Sequence, residues 1–316
     1  MSRAKGYNSQ LAMAYEQAYG QTPASPAGYN MPFNQSKIAI AQNLIESTTI
    51  RGRRDKEQPA IGNVDVSGSL VVPLDQIGTG YWLRSMFGSP VTTGSGDPYT
   101  HVFKVTDSQP SLVLEQQYPD IPAYEMFNGC KVNKFSFVYG GDNELTATLE
   151  LLGAKRTVGA TPFTTVLSEL PLLKFSNFQG TLEEGGEQLA IVTEAGLNLD
   201  FGLDGNTYTI GGNGCRTDLP EGALQISGSI TAFFADTVLL NKAISNTKSS
   251  LKFKFTSGAH SLAFFLEEVV FQQTSPGIEN EKGITVKLPF QAFYDSGADG
   301  SAIVATLINS QASYAG

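Results

Sequence analysis

A chain of 316 residues with 41% hydrophobic and 16% charged residues is long enough to bury one large core or two ordinary ones. Its 33 Gly and 15 Pro punctuate many short strands, are too aperiodic for collagen or wholesale disorder, and argue against a helical bundle. A formal charge of -9 removes the electrostatic drive for tight binding to the outside of DNA or to an anionic membrane.

Residues 1–35 form an arm rich in Tyr, Gln, Ala, Pro and Asn, in which Tyr7, Tyr15, Tyr19, Tyr29 and Phe33 follow neither helical nor strand spacing. Such an arm cannot fold alone, and its aromatics predict that it orders on a neighbour. It has no apolar leader run, and no later stretch nears the roughly 18 apolar residues of a spanning helix, so neither secretion nor membrane insertion is expected. From residue 36 the pattern turns to period two. In Asn63-Val-Asp-Val-Ser-Gly-Ser-Leu-Val71, Val64, Val66, Gly68 and Leu70 share one face and Asn63, Asp65, Ser67 and Ser69 the other. The same alternation recurs in Glu144–Glu150, Gly196–Phe201, Leu224–Ile230 and Gly283–Leu288, which predicts antiparallel sheets with one wet face. Two segments break it. Asp75 precedes Ile77, Tyr81 and Met86 at helical spacing, and Asp236 precedes Val238, Leu239 and Ile244, so Asp75 and Asp236 are expected helix N-caps.

These pairs belong to a wider internal similarity. A shift of 160 matches Thr49, Ile50, Gly52, Gly62, Ser67, Gly68 and Ser69 to Thr209, Ile210, Gly212, Gly222, Ser227, Gly228 and Ser229. A shift of 150 matches Phe103–Leu112 to Phe253–Leu262. The expected organisation is an arm (1–35), a first module (36–158), a connector (159–187), a second module (188–300) and a C-terminal segment (301–316).

Cys130 and Cys215 are too few for a disulfide framework or a cysteine-based zinc site, and His101 and His260 too few for a histidine-rich metal site. Neither histidine adjoins a candidate nucleophile, and both are expected at the surface or an interface. No nucleophile elbow, zinc-protease or phosphate-loop motif occurs, so no enzymatic activity and no cofactor are expected.

Two runs carry a resemblance to a known family: Gly62-Asn-Val-Asp-Val-Ser-Gly-Ser-Leu70 followed by the Asp75 helix, and Phe127-Asn-Gly-Cys-Lys-Val-Asn-Lys-Phe-Ser-Phe137 leading into Glu144-Leu-Thr-Ala-Thr-Leu-Glu150. Their order along residues 37–300 resembles the tail tube proteins of long-tailed bacteriophages. The resemblance implies a mainly β fold of two tandem β-sandwich or half-barrel modules, each with one short flanking α-helix, joining other copies into a ring-shaped β-barrel. It implies a structural virion protein, made in the host cytoplasm and placed in the tail, whose stacked rings conduct DNA during ejection, with other tail proteins as neighbours. The usual subunit has one module and forms hexameric rings; two modules per chain imply a trimeric, pseudo-sixfold ring, with the hexamer as the alternative.

On that reading the polar strand faces line the bore: Asn63, Asp65, Ser67, Ser69, Glu144, Thr146, Thr148, Glu150, Asn198, Asp200, Gln225, Ser227 and Ser229, with Lys287 a basic exception. A mildly acidic lining would repel passing double-stranded DNA within a Debye length of about 8 to 10 Å and so bind no particular sequence. The one basic cluster, Arg51, Arg53, Arg54 and Lys56, lies in a loop expected to touch the adjacent ring, with Glu183-Glu-Gly-Gly-Glu187 as its acidic partner. Competing readings are a virion adhesin or carbohydrate-binding β-sandwich, which would need exposed aromatics beyond the single Trp82, and a hydrolase using its paired carboxylates.

Overall fold

The computed structural model describes residues 3–24, 26–278, 283–295, 297 and 299–314. In chain order the strands of the first half are β1 (Gln10–Tyr15), β2 (Gly28–Asn30), β3 (Gln35–Ser36), β4 (Ala39–Ile45), β5 (Ala60–Pro73), β6 (Val91–Thr93), β7 (Tyr99–Lys104), β8 (Leu112–Tyr118), β9 (Ala123–Tyr139), β10 (Thr146–Gly153) and β11 (Lys155–Gly159). The remainder are β12 (Leu167–Glu169), β13 (Gly180–Glu184), β14 (Glu187–Gln188), β15 (Val192–Asp200), β16 (Gln225–Phe233), β17 (Ser249–Ser257), β18 (His260–Phe271), β19 (Thr285–Phe293) and β20 (Val304–Asn309). Helix α1 (Gly78–Phe87) follows β5, and helix α2 (Val238–Ile244) follows β16.

The fold is mainly β, as the alternating sequence requires, and the strands form one large open sheet. Its central layer runs β4-β5-β10-β9-β15-β16-β19, all neighbours antiparallel. Two wings fold back from it. One is β11, the first part of β9, β8, β1, β2 and β12. The other is β13-β17-β18-β20-β7-β6, tied to the central layer where Glu268–Phe271 of β18 pair with Phe290–Phe293 of β19.

The same pairing order occurs twice: β4-β5-β10-β9 in one half and β15-β16-β19-β18 in the other. Each half is also flanked by an equivalent wing strand, β1 against β8 and β13 against β17. The segments matched by a shift of 150 occupy different places, however. Phe103 lies on β7, which pairs with β20, whereas Phe253 lies on β17, which pairs with β18.

The halves are not separate bodies, because one apolar core runs through both. Phe135 and Phe137, on the dry face of β9, meet Phe253, Phe255 and Phe264 of β17 and β18 at ring-centroid separations of 5.3–6.0 Å. Each buried Phe contributes about 1.5 to 3 kcal/mol, so this contact alone outweighs any single polar tie between the halves. The arm orders on its own chain rather than on a neighbour: β1 pairs with β8 along its whole length, and Leu11, Ala12 and Met13 are buried.

Helix α1 buries Tyr81, Trp82, Leu83, Met86 and Phe87. Gly80, which weakens the helix on propensity, is required by packing: a Cβ there would lie 2.1 Å from the Tyr314 ring. Helix α2 is shallower. It buries Leu239 and Ala243 but exposes Val238 and Ile244, two residues that the spacing assigned to its apolar face.

The aspartates flanking the helices are not the N-caps expected of them: Asp75 lies two residues ahead of that position and Asp236 one. The N-cap positions are Ile77 and Thr237. Asp75 Oδ1 accepts the N–H groups of Ile77 (2.7 Å) and Gly78 (2.5 Å), and Asp236 Oδ1 accepts that of Val238 (2.9 Å). Both bond the backbone two residues on, the turn geometry that a short Asp side chain favours.

Candidate functional site

The central layer sets the geometry of the site. Because side chains alternate across a strand, the register of six strands decides which polar residues share a surface. Across β5, β10, β9, β15 and β16 one row reads Ser69, Glu150, Lys134, Asp200, Gln225. The next row reads Val71, Thr148, Ser136, Asn198, Ser227 and, on β19, Gln291. Asn63, Asp65 and Ser67 continue the same side of β5, Thr146 and Glu144 that of β10 and its approach, and Ser229 that of β16. All thirteen residues picked from sequence alternation therefore fall on one continuous face, opposite the buried Val66, Leu70, Leu149, Phe135, Phe137, Leu197, Leu199, Ile226 and Ile230.

The electrostatics of this face differ from the sequence expectation. Three of its carboxylates are held by cations. Asp200 is 3.1 Å from Lys134 Nζ, Glu144 is 2.5 Å from Lys174, and Asp65 is 2.5 Å from Arg216. The hydrogen bond from Lys174 keeps the Glu144 carboxyl below the usual carboxylate range, and Asp200 with neighbouring Glu150 raises Lys134. Glu194, opposite Thr231, and Lys287 add one further charge of each sign. The face is rich in hydroxyl and amide groups with interleaved charge pairs, so the mildly acidic character expected from strand alternation is largely neutralised. Lys134 was legible, since it alternates with Phe135; Arg216 and Lys174 come from loops and carry no periodic signal.

Arg216 holds more than Asp65. Its side chain is 6% exposed, and its guanidinium donates to the carbonyls of Gly205, Val66 and Gly153 at 2.8–3.0 Å. It thereby pins the loop between β15 and β16 across the ends of β5 and β10, where Val64 N–H also donates to Gly214 O and the Tyr208 hydroxyl to Val64 O.

The counterpart loop between β4 and β5 stands out from the protein. Arg51, Arg53, Arg54 and Lys56 are all exposed. Three of them are paired within the loop region: Arg51 with Glu57, Arg53 with Asp55, and Lys56 with Glu46. The acidic β13–β14 turn is also engaged, with Glu183 on Lys252 and Glu184 on Lys242, which leaves Glu187 as its exposed carboxylate.

The residues read against other chemistries have structural places. Contrary to expectation, His101 is fully buried; its ring nitrogens meet Thr92 Oγ1 and Gln311 O, and desolvation lowers its pKa. His260 lies between Gln76 Oε1 and Asp97 Oδ1. Burial pushes the Cys130 thiol up, away from the reactive thiolate, and Cys215 is a partly exposed free thiol. Trp82 is 2% exposed and offers no sugar-stacking platform. Among the described residues no group of three or more His, Cys, Asp or Glu is placed to hold a metal ion, and no helix is long and apolar enough to cross a membrane.

Residues 6–292 match the family described as phage tail tube protein. The chain belongs to the phage tail tube protein family. It is accordingly a structural component of a bacteriophage tail. No curated protein matches this tail tube protein.

Proposed function

We propose that the chain is the repeating subunit of a tail tube, that its copies close into rings and the rings stack, and that the polar face of the central layer lines a bore conducting double-stranded DNA into the host. The observation that carries this reading is the continuity of that face over six strands, in a chain of the tail tube family. DNA presents about one negative charge per 1.7 Å, so a lining whose own charges are mostly paired and otherwise nearly balanced offers it neither a cationic trap nor a strong barrier. Closing the open sheet around a ring satisfies strand edges that would otherwise template aggregation.

The doubled pairing order supports a tandem duplication, and with it a ring of three copies and pseudo-sixfold symmetry in preference to six. The two halves then take in β1 and β13 respectively, beyond the boundaries drawn from sequence. The exposed Arg51, Arg53 and Arg54 loop reaches the adjoining ring, and other tail proteins cap the stack. Subunits assemble in the host cytoplasm before joining the virion.

Negative-stain microscopy and native mass spectrometry of the purified chain test the reading together. Rings or hollow filaments with three chains and six lobes are the expected outcome. A strictly monomeric protein at high concentration refutes it.

A further inference from the structure

The junction between the two halves is complete within the chain, and the chain also carries the two edges that a second such junction requires. Within the chain, residues 134–139 of β9 pair antiparallel with residues 195–200 of β15, Ser136 opposite Asn198. Asn133 seals the end, its carbonyl accepting Phe201 N–H and its Oδ1 accepting Leu203 N–H.

The strand that corresponds to β15 is β4. Each precedes a Ser-Gly-Ser strand, with Ala39 opposite Ser67 as Asn198 is opposite Ser227. The close approach beside these pairs is the same: a Cβ on Gly68 would lie 2.2 Å from Lys37 O, and one on Gly228 would lie 2.2 Å from Gly196 O. Yet β15 has β9 on its second edge, whereas β4 pairs with β5 alone among the described strands and exposes Leu44 and Ile45.

The run that corresponds to the end of β9 is residues 272–278. Phe271 stands opposite Phe290 as Val132 stands opposite Leu151. Beyond Phe271 the chain still follows β19, with Gln272 N–H donating to Pro289 O at 2.8 Å, but residues 272–278 join no strand pairing and Ile278 is 82% exposed. The two free edges are different surfaces. Their union is heterologous and propagates from copy to copy until a ring closes.

We propose that the β4 edge of a second copy adds antiparallel to residues 272–278, with Ala39 facing Ser275, in repetition of the internal junction. The assignment rests on the tube reading above and names the strands that join its subunits.

The test is an engineered disulfide. Ala39→Cys and Ser275→Cys are combined in a Cys215→Ser background, with Thr274→Cys and Pro276→Cys as alternatives to Ser275→Cys, because β9 pairs with β10 through a register shift of one residue. After assembly and mild oxidation, a covalent ladder is expected on non-reducing gels, absent from each single variant and ending at the mass of one closed ring. Amide exchange on the unmodified chain is the independent arm: residues 39–45 and 272–278 gain protection on assembly. Rings without a ladder from any pair, and without protection at those segments, overturn the edge assignment and leave the tube reading standing. A native chain that never assembles removes both.

Discussion

Asp75 carries a carboxylate at a site that desolvates it. Burial raises its pKa from 3.8 to about 6, against the opposing effect of the amides of Ile77 and Gly78. The folded form thus holds the proton more tightly than the unfolded chain. Its contribution to stability is full below about pH 3.8 and is lost as pH rises through about 6, a swing on the order of 3 kcal/mol. Asp75→Asn keeps an acceptor for the amides without the charge. Thermal melts from pH 4 to 7 should show the variant gaining on the native protein as pH rises, and a constant difference would contradict this account. Gly80→Ala, by contrast, should destabilise at every pH, because its methyl group meets the Tyr314 ring whichever way Asp75 is protonated. The aspartates were legible as helix-start residues, since Asp bonds amides just ahead of it. Gly80 was not, since its reason lies more than two hundred residues away.

At the scale of elements, alternation found the strands and their wet faces because one side of the central layer is packed and the other is not. What it missed depends on partners far along the chain: β1 on β8, β20 between β18 and β7, and the loop after β15 that Arg216 holds down. Repeated motifs located the equivalent β5 and β16 by their Ser-Gly-Ser core, where glycine is demanded by a carbonyl 2.2 Å from each Cβ position. The shift of 150 misled because two amphipathic strands share a period without sharing a neighbour. Phe137→Ala should cost about 3 to 5 kcal/mol, because it opens a cavity where the halves meet. Arg216→Ala should cost on the order of 2 kcal/mol by leaving buried carbonyls unpaired. Chemical denaturation measures both, and a single cooperative transition for each is expected from the shared core.

At the scale of the whole molecule, the central layer offers seven strands and the run 272–278. Three chains on that plan give a wall about 115 Å around at roughly 4.8 Å per strand, before strand tilt widens it. Replacing Arg51, Arg53 and Arg54 together with Ala should leave rings intact and shorten the filaments seen by microscopy; filaments of native length would refute the loop's role between rings. Placing lysines at Ser67 and Ser227, on the polar face, should leave assembly unchanged and slow DNA release from particles carrying the variant. Release at the native rate would show that this face does not meet DNA. The charge pattern of that face has a physical corollary. Lys134 with Asp200, Lys174 with Glu144 and Arg216 with Asp65 are short dipoles whose fields cancel within a few ångströms. Added electrolyte has little left to screen on such a wall, so transit speed should hold nearly steady from dilute buffer to brine.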